Sequence, residues 1–377
     1  MPDDRRDVAS LLALCREWLP GTPVRLEPMG GGGFSGSPLW RVETTGAEAP
    51  GRAFVLKGFA GGWTRDRAEA IHRFVAALRE GGIVEVPLPL PLHPPGRGSV
   101  LGDAAGGWWE LIEWKPGRAV ASPTPGQASA ALGTLARIHA AAAARAVGVF
   151  PPPSQDESGR GAVPAWERRR RRLAEVGLHG WERPPLLGGT ALQVRIDACR
   201  AAAARTLDRH AGRSLLKRLA AIRVPAVPLQ PVLRDVWQAQ ILFDGERVSG
   251  VVDLHASGID TPVADVARLL GSWKAPADPL SPRHLPVADR SVGLAARWSA
   301  ALDAFQAIRP LSPEETRLID LLHIGGVIGG IDHWFRWVLI EGMTFESPPA
   351  VEARVESLLE NLDSVLGQAD ALLQGAG

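Results

Sequence analysis

The sequence predicts an α+β chain of two lobes, a small strand-rich one over residues 1–115 and a large, mostly helical one over residues 116–377. Three observations carry that reading. Short apolar runs of strand length crowd the region before residue 115, whereas apolar positions three and four apart dominate after it. Pro116-Gly117 breaks the chain between the two patterns. A length of 377 residues is too great for one average domain and suits two lobes with sizeable cores.

Residues 1 to about 20 form an expected amphipathic helix with Val8, Leu11, Leu12, Leu14, Cys15 and Leu19 as its apolar positions. Strands are expected over Val24–Met29, Leu39–Glu43 and Ala53–Phe59. Thr64–Glu80 reads as a helix with Ile71, Phe74, Val75 and Leu78 on one face, stopped by Gly81-Gly82. A hairpin-like pair follows, Pro87–Leu92 with Trp108–Trp114. Beyond the break, Gln127–Arg145, Trp166–Val176, Thr190–His210 and Ser214–Arg223 read as helices, and Pro151–Gly161 as a loop. One hairpin interrupts them, with Asp244-Gly245 as its turn between Ile241-Leu242-Phe243 and Val248–Val252. From Pro262 onward the pattern is again helical.

Composition excludes several classes. An apolar fraction of 45% and a charged fraction of 22% are those of an ordinary globular protein. A net charge of +1 supplies no global field for nucleic acid or membrane. Two cysteines far apart, Cys15 and Cys199, suggest neither a disulfide framework nor a zinc site. The most apolar stretch, Leu321–Ile340, holds His323, Asp332, His333 and Arg336, each costly in hydrocarbon, so it is expected as a buried helix pair. The N-terminus does not read as a secretory signal, and a cytoplasmic protein without nucleic-acid or membrane partners is expected. Oligomeric state is not legible. The run Arg168–Arg172 would circle its helix, which suits a solvated helix with acidic or phosphate neighbours.

The chemistry concentrates in a few places. Gly31, Gly33 and Gly36 form G-x-G-x-x-G, with Ser35 between the last two. A dinucleotide fold needs a helix straight after such glycines, but here a strand follows, which favours a loop folded over ATP phosphates. Taken alone, a plain glycine turn explains it equally well. Only four of 42 basic residues are lysines, and one of them, Lys57, lies inside the apolar run Ala53–Phe59. An ammonium there must find an anion or snorkel out. Asp235 enters a strand and Asp253 ends the next one, so the hairpin brings Asp235, Gln240 and Asp253 towards its open end. Carboxylates gathered there can hold a divalent cation and orient a hydroxyl.

In that order of parts the chain resembles the aminoglycoside phosphotransferase-like branch of the protein-kinase-like fold, which includes choline and homoserine kinases. The resemblance is strongest over 232–273. It implies ATP and Mg²⁺ as cofactors and a small-molecule hydroxyl acceptor. It implies Asp235 as the aspartate that takes or orients the hydroxyl proton, with Arg234 retained before it. It implies Asp253 and Gln240 on the metal, Lys57 and the glycine loop on the phosphates, and Glu113-Trp114-Lys115 as the hinge lining the adenine. Asp265 corresponds to a structural aspartate, and Ala136-Arg137-Ile138-His139 to the helix beneath the catalytic loop. Two positions depart from the pattern: Leu233 replaces a histidine, and Gln240 replaces an asparagine. They motivate an alternative, a nucleotide-binding or inactive pseudokinase with a regulatory or scaffold role. The carboxylate partner of Lys57 stays open between Glu69, chemically apt but nearly opposite its helix's apolar face, and His72, on that face's flank.

Overall fold

A computed structural model describes residues 8–30, 36–46, 51–59, 61–104, 106–151, 153–156, 158–181, 189–273 and 293–374. The first lobe opens with α1 (Val8–Arg16), shorter than the expected helix, followed by β1 (Val24–Pro28), β2 (Leu39–Thr44) and β3 (Ala53–Gly58). Helix α2 (Arg65–Glu80) then crosses to β4 (Val100–Gly102) and β5 (Trp108–Glu113). The five strands make one antiparallel sheet in the order β1-β2-β3-β5-β4. Alternation along β3 buries Phe54 and Leu56 against Leu11, Cys15 and Trp18, so α1 covers one face of the sheet. On this sheet Lys57 pairs directly with Glu110 of β5, which places two charged side chains on the same face.

The expected strand over Pro87–Leu92 is not one. The segment lies beside β5 and makes a single bridge, Pro89 with Ile112, through the Leu90 N–H to the Leu111 carbonyl and the Glu113 N–H to the Leu88 carbonyl; the next donor, the Leu92 N–H, turns to the Gly98 carbonyl instead. The edge strand on that side is β4. Thr64 caps α2 by accepting from the Arg67 N–H. Its apolar face, Ile71, Phe74, Val75 and Leu78, packs into the core of the helical lobe rather than under the sheet.

That lobe is built from β6 (Arg118–Ala119), α3 (Pro125–Arg145), β7 (Arg160–Gly161), α4 (Pro164–His179), α5 (Ala191–Arg209) and α6 (Gly212–Ala221). Then come β8 (Val227–Pro228), β9 (Gln230–Val232), β10 (Ile241–Asp244), β11 (Arg247–Val251) and β12 (Gly258–Asp260). The chain ends in α7 (Pro262–Leu270), α8 (Leu294–Arg297), α9 (Ser299–Gln306), α10 (Pro313–Phe335) and α11 (Pro348–Gln374). Thr124 opens α3 with a capping box through Gln127, and Ser312 opens α10 with one through Glu315. The hairpin turn sits one residue later than expected. Asp244 pairs with Arg247, so the loop is Gly245-Glu246, and Gly245 takes the left-handed backbone at φ 61°. Strand β6 adds to β10, and β9 pairs with β12, which holds the two aspartate-bearing loops in one place. No helix among the described residues is long and apolar enough to cross a membrane.

Candidate active site

The loop after β9 carries Leu233, Arg234 and Asp235, and its shape is fixed from below. Asp265, in the first turn of α7, is fully buried. Its carboxylate accepts the Leu233 N–H at 2.8 Å, the Arg234 N–H at 2.6 Å and His139 Nε2 at 2.9 Å. Those bonds hold Arg234 in a left-handed backbone, φ 68°, a costly conformation for a residue with a side chain. Asp235 is left exposed. Arg268, one turn along α7 from Asp265, holds Asp235 Oδ1 through Nε and Nη2, both at 2.9 Å. The histidine missing before Arg234 is replaced by Leu233, which is buried in the core.

The second aspartate follows β11. Asp253 also adopts a left-handed backbone, φ 59°, and its side chain is 49% exposed. Lys57 Nζ donates to its Oδ1 at 2.7 Å, a contact that ties the strand-lobe sheet to the helical lobe. Burial alone would raise the Asp253 carboxyl, but Lys57 and His255 outweigh it and hold the carboxyl below its usual range. Gln240 is buried and its Oε1 accepts the Trp237 N–H at 3.2 Å, closing its own short turn.

Glu69 is not brought to Lys57. Its oxygens accept from the Ser99 N–H at 3.2 Å and the Ser99 hydroxyl at 3.3 Å, because its position on α2 points it at the edge of the sheet. His72, on the flank of the same helix, does face inward. It does not reach Lys57 but the neighbouring Glu110, with Nε2 2.6 Å from Oε2. His255 Nε2 takes the other oxygen at 2.8 Å and stacks on Phe59, ring centroids 4.7 Å apart. Burial would push the Glu110 carboxyl up; His255 and His72 together hold it well below the usual range. Ser99, His72, Glu110, His255, Asp253 and Lys57 thus form one continuous polar chain. Glu110 was missed in the sequence, although it lies in the apolar run Trp108–Ile112 just as Lys57 lies in its own.

Of the glycine loop, Gly31, Gly33 and Ser35 lie outside the described residues. Gly36 is at φ 65°, a backbone that disfavours any side chain. Glu113 closes β5 and accepts the Leu88 N–H at 3.2 Å, with Lys115 at 3.1 Å and Arg79 at 3.3 Å. Its carboxylate is therefore spent on the linker between the lobes. Trp114 follows it with the Arg41 guanidinium 4.9 Å over its ring.

No group of three or more metal-binding side chains of the His, Cys, Asp or Glu type occurs among the described residues. The oxygen donors at hand are Asp253 Oδ2, which has no partner among the described residues, and the second lone pair of Gln240 Oε1. That set suits Mg²⁺, which takes one or two protein oxygens and leaves the rest of its shell to water and phosphate.

Beside Asp235 opens a cleft of about 820 Å³, walled by α2, α4, α7, α10 and α11. The run Arg168–Arg172 has the acidic neighbours expected of it, Asp260, Glu167, Glu175 and Asp332, but it is not evenly solvated. Arg168, Arg169 and Arg172 line the cleft, while Arg170 pairs with Glu167 at 2.7 Å outside it. His333 lines the cleft too, and Trp337 packs on it, ring centroids 3.9 Å apart.

Several known proteins are similar to this chain in sequence or in fold. A homoserine kinase of Methylobacillus glycogenes is 26% identical over 248 residues, 66% of this chain and 63% of its own length. The chain thus matches less than two thirds of that relative. A homoserine kinase of Methylobacillus flagellatus is 32% identical over 89 residues, 24% of each chain. Among solved structures, a spectinomycin phosphotransferase in complex with ADP and spectinomycin superposes with a TM-score of 0.64 at 12% identity. The match covers 97% of this chain and 98% of that one. A microcompartment-associated aminopropanol kinase follows at 0.55 and 14%, covering 96% and 99%. At such identities the likeness establishes the two-lobed kinase-like fold. The sequence model of the phosphotransferase enzyme family matches residues 30–319. With the Arg234-Asp235 loop, the Lys57–Asp253 contact and this fold in one chain, the protein belongs to the phosphotransferase enzyme family.

Proposed function

We propose that the protein is an ATP- and Mg²⁺-dependent O-phosphotransferase of the cytoplasm that acts on a small hydroxylated molecule. The observation that supports it best is the 2.7 Å contact of Lys57 with Asp253, a buried cation meeting a half-exposed carboxylate at the junction of the lobes. Residues 1–115 would serve as the nucleotide lobe and residues 116–377 as the lobe of catalysis and acceptor binding. Lys57 and the loop of Gly31, Gly33, Ser35 and Gly36 hold the phosphates. The backbone at Glu113 and Trp114 lines the adenine, while Glu69 is engaged with Ser99 and not with Lys57. Asp253 and Gln240 are the residues that would hold magnesium, which when bound supplies positive charge to the phosphate oxygens.

Asp235 orients the acceptor hydroxyl and takes its proton. As the acceptor oxygen bonds to the γ-phosphorus, the bond from that phosphorus to the β–γ bridging oxygen breaks, and ADP leaves with the electron pair. Arg234 stands one residue before the base in a backbone that Asp265 fixes, so its work is placement. Such transfer is mainly positioning and charge neutralisation.

A second reading, a nucleotide-binding protein without turnover, is favoured by one observation: Gln240 turns its amide oxygen to its own loop. Incubation with Mg²⁺-ATP and hydroxylated acceptors, homoserine and spectinomycin among them, separates the two. ADP release that depends on an acceptor and is abolished in both Asp235→Asn and Asp253→Ala supports transfer. Stabilisation by Mg²⁺-ATP with no turnover of any acceptor would refute it in favour of the second reading.

A further inference from the structure

We infer that the acceptor is an acid: a hydroxylated molecule whose carboxylate or phosphate is gripped by an arginine cage beside Asp235. The inference rests on the phosphotransferase reading and names its substrate class.

The cleft of about 820 Å³ is lined by seven arginines and by two carboxylates, Asp235 and Asp260. Three of the arginines are already neutralised. Arg168 meets Asp260 at 3.1 Å, Arg172 meets Asp332 at 3.1 Å, and Arg268 meets Asp235 at 2.9 Å. The other four, Arg67, Arg169, Arg234 and Arg354, have no carboxylate at ion-pair distance among the described residues. Arg67 spends its Nη2 on the carbonyls of His255 and Ser257. Arg169 donates to the Ala165 carbonyl at 3.2 Å. Arg234 Nε is buried without a partner, and Arg354 lies 5.5 Å over the Trp237 ring.

Four unneutralised guanidinium groups in one cavity are mutually repulsive. Burial first, and then neighbouring Arg268, pushes both Arg169 and Arg354 down to about 10, against the opposing pull of Asp235. A ligand that relieves the repulsion must be an anion, and the forked guanidinium matches carboxylate and phosphate oxygens. The backbone opens the room for it. On α10, Gly325 lies against the Arg169 stem, where an added Cβ would come to 3.0 Å, and Gly326 faces its guanidinium, where one would come to 3.4 Å. The glycines thus let α4 lay Arg169 across the floor of the cleft.

The same charge argues against a polycation, which would meet like charge, and gives a zwitterion no advantage over its acid half. It also assigns Arg268 a second task. Bound to Asp235 it occupies the proposed base, and an acceptor anion that draws Arg268 away frees Asp235 for the hydroxyl.

The test is calorimetric binding with Mg²⁺-AMP-PNP saturating the nucleotide site, so that anions cannot occupy it. Glycerate and glycerol 3-phosphate are titrated beside neutral glycerol and zwitterionic homoserine, into the wild type, Arg169→Gln and Arg354→Gln. At least one of the two acids should bind about tenfold or more tighter than glycerol and homoserine, and which acid does so tells carboxylate from phosphate. Each variant should lose about tenfold for that acid while binding AMP-PNP as before. Acids that bind no better than glycerol, or variants that bind them unchanged, overturn the inference. Failure of AMP-PNP itself to bind would instead overturn the phosphotransferase reading.

Discussion

Glu110→Gln is the sharpest test of how the nucleotide lobe keeps its charges in place. Glu110 is 2% exposed and accepts two imidazole hydrogen bonds, at 2.6 Å from His72 and 2.8 Å from His255. A hydrogen bond to a charged group contributes about 1.5–3 kcal/mol, and a buried donor left unpaired costs about as much again. Glutamine is nearly isosteric but offers one acceptor oxygen where the carboxylate offers two, and its NH₂ meets the second imidazole. One bond is lost and the other loses its charge assistance, so a destabilisation of about 2–4 kcal/mol is expected. His255 is the link to Asp253, and Lys57 stands directly across from Glu110 on β3. The KM for ATP should therefore rise with the loss of stability. Urea unfolding followed by circular dichroism measures the first effect, and ADP-release kinetics the second. Glu113→Gln is the control, since its partly exposed pairs with Lys115 and Arg79 should contribute no more than about 1 kcal/mol. If the two variants unfold alike and bind ATP alike, the buried chain from Ser99 to Lys57 has no part in holding the site.

Three other perturbations follow from the geometry. Asp265→Asn should cost about 2–4 kcal/mol, because its NH₂ would face donors that now bond a carboxylate, and kcat should fall with the distorted loop at Arg234. Unchanged kcat in a folded variant would show that the loop holds itself. Lys57→Met should leave urea stability within about 1 kcal/mol, since its partner is half-exposed, yet abolish the thermal shift produced by Mg²⁺-ATP. A full shift in that variant would remove Lys57 from the phosphates. His323, only 8% exposed on the cleft wall, is pushed by burial, with Arg297 and Arg169 beside it, from 6.5 down to about 4. Between those values the unfolded chain holds the extra proton. Stability contributed by the neutral ring is complete above pH 6.5 and lost as pH falls to about 4, at most about 3 kcal/mol. Urea titrations should show a flatter pH slope in His323→Gln than in the wild type, and equal slopes would contradict it.

The fold was legible because its signals are local. Thr64 before an apolar helix face, proline and glycine at the lobe junction, and strand-length runs in the first third each act over a few residues. The failures are where tertiary partners decide. Val100–Gly102 is too short to stand out, and it is a strand only because β5 offers it an edge. Pro87–Leu92 has the alternation of a strand and bonds β5 at Leu88 and Leu90, but its pairing ends where the Leu92 N–H turns to Gly98. The turn at Gly245 slipped by one residue because the left-handed position falls on the glycine, wherever the aspartate stands.

Within the site, the two kinds of reasoning applied to one helix diverge in an instructive way. Chemistry favoured Glu69 for Lys57 and helix geometry favoured His72, and geometry chose which side chain turned inward. Chemistry was still right that a carboxylate belongs beside the lysine. The one that meets it is Asp253 of the other lobe, while Glu110, across from the lysine on β5, is held by His72 and linked to Asp253 through His255. The rule that an ionised group inside an apolar strand needs a reason applies to Glu110 as fully as to Lys57, and applied twice it finds both halves of the arrangement. No such rule reaches the arginine cage. Five consecutive arginines circle their helix evenly, and nothing in the run says which of them meets a cavity. That is decided by the glycines of α10, more than 150 residues away in sequence, which draw the helix close enough for Arg169 and Arg172 to lie across it. A charge pattern in sequence thus fixes how many arginines a helix offers, and packing alone fixes how many of them a ligand can find.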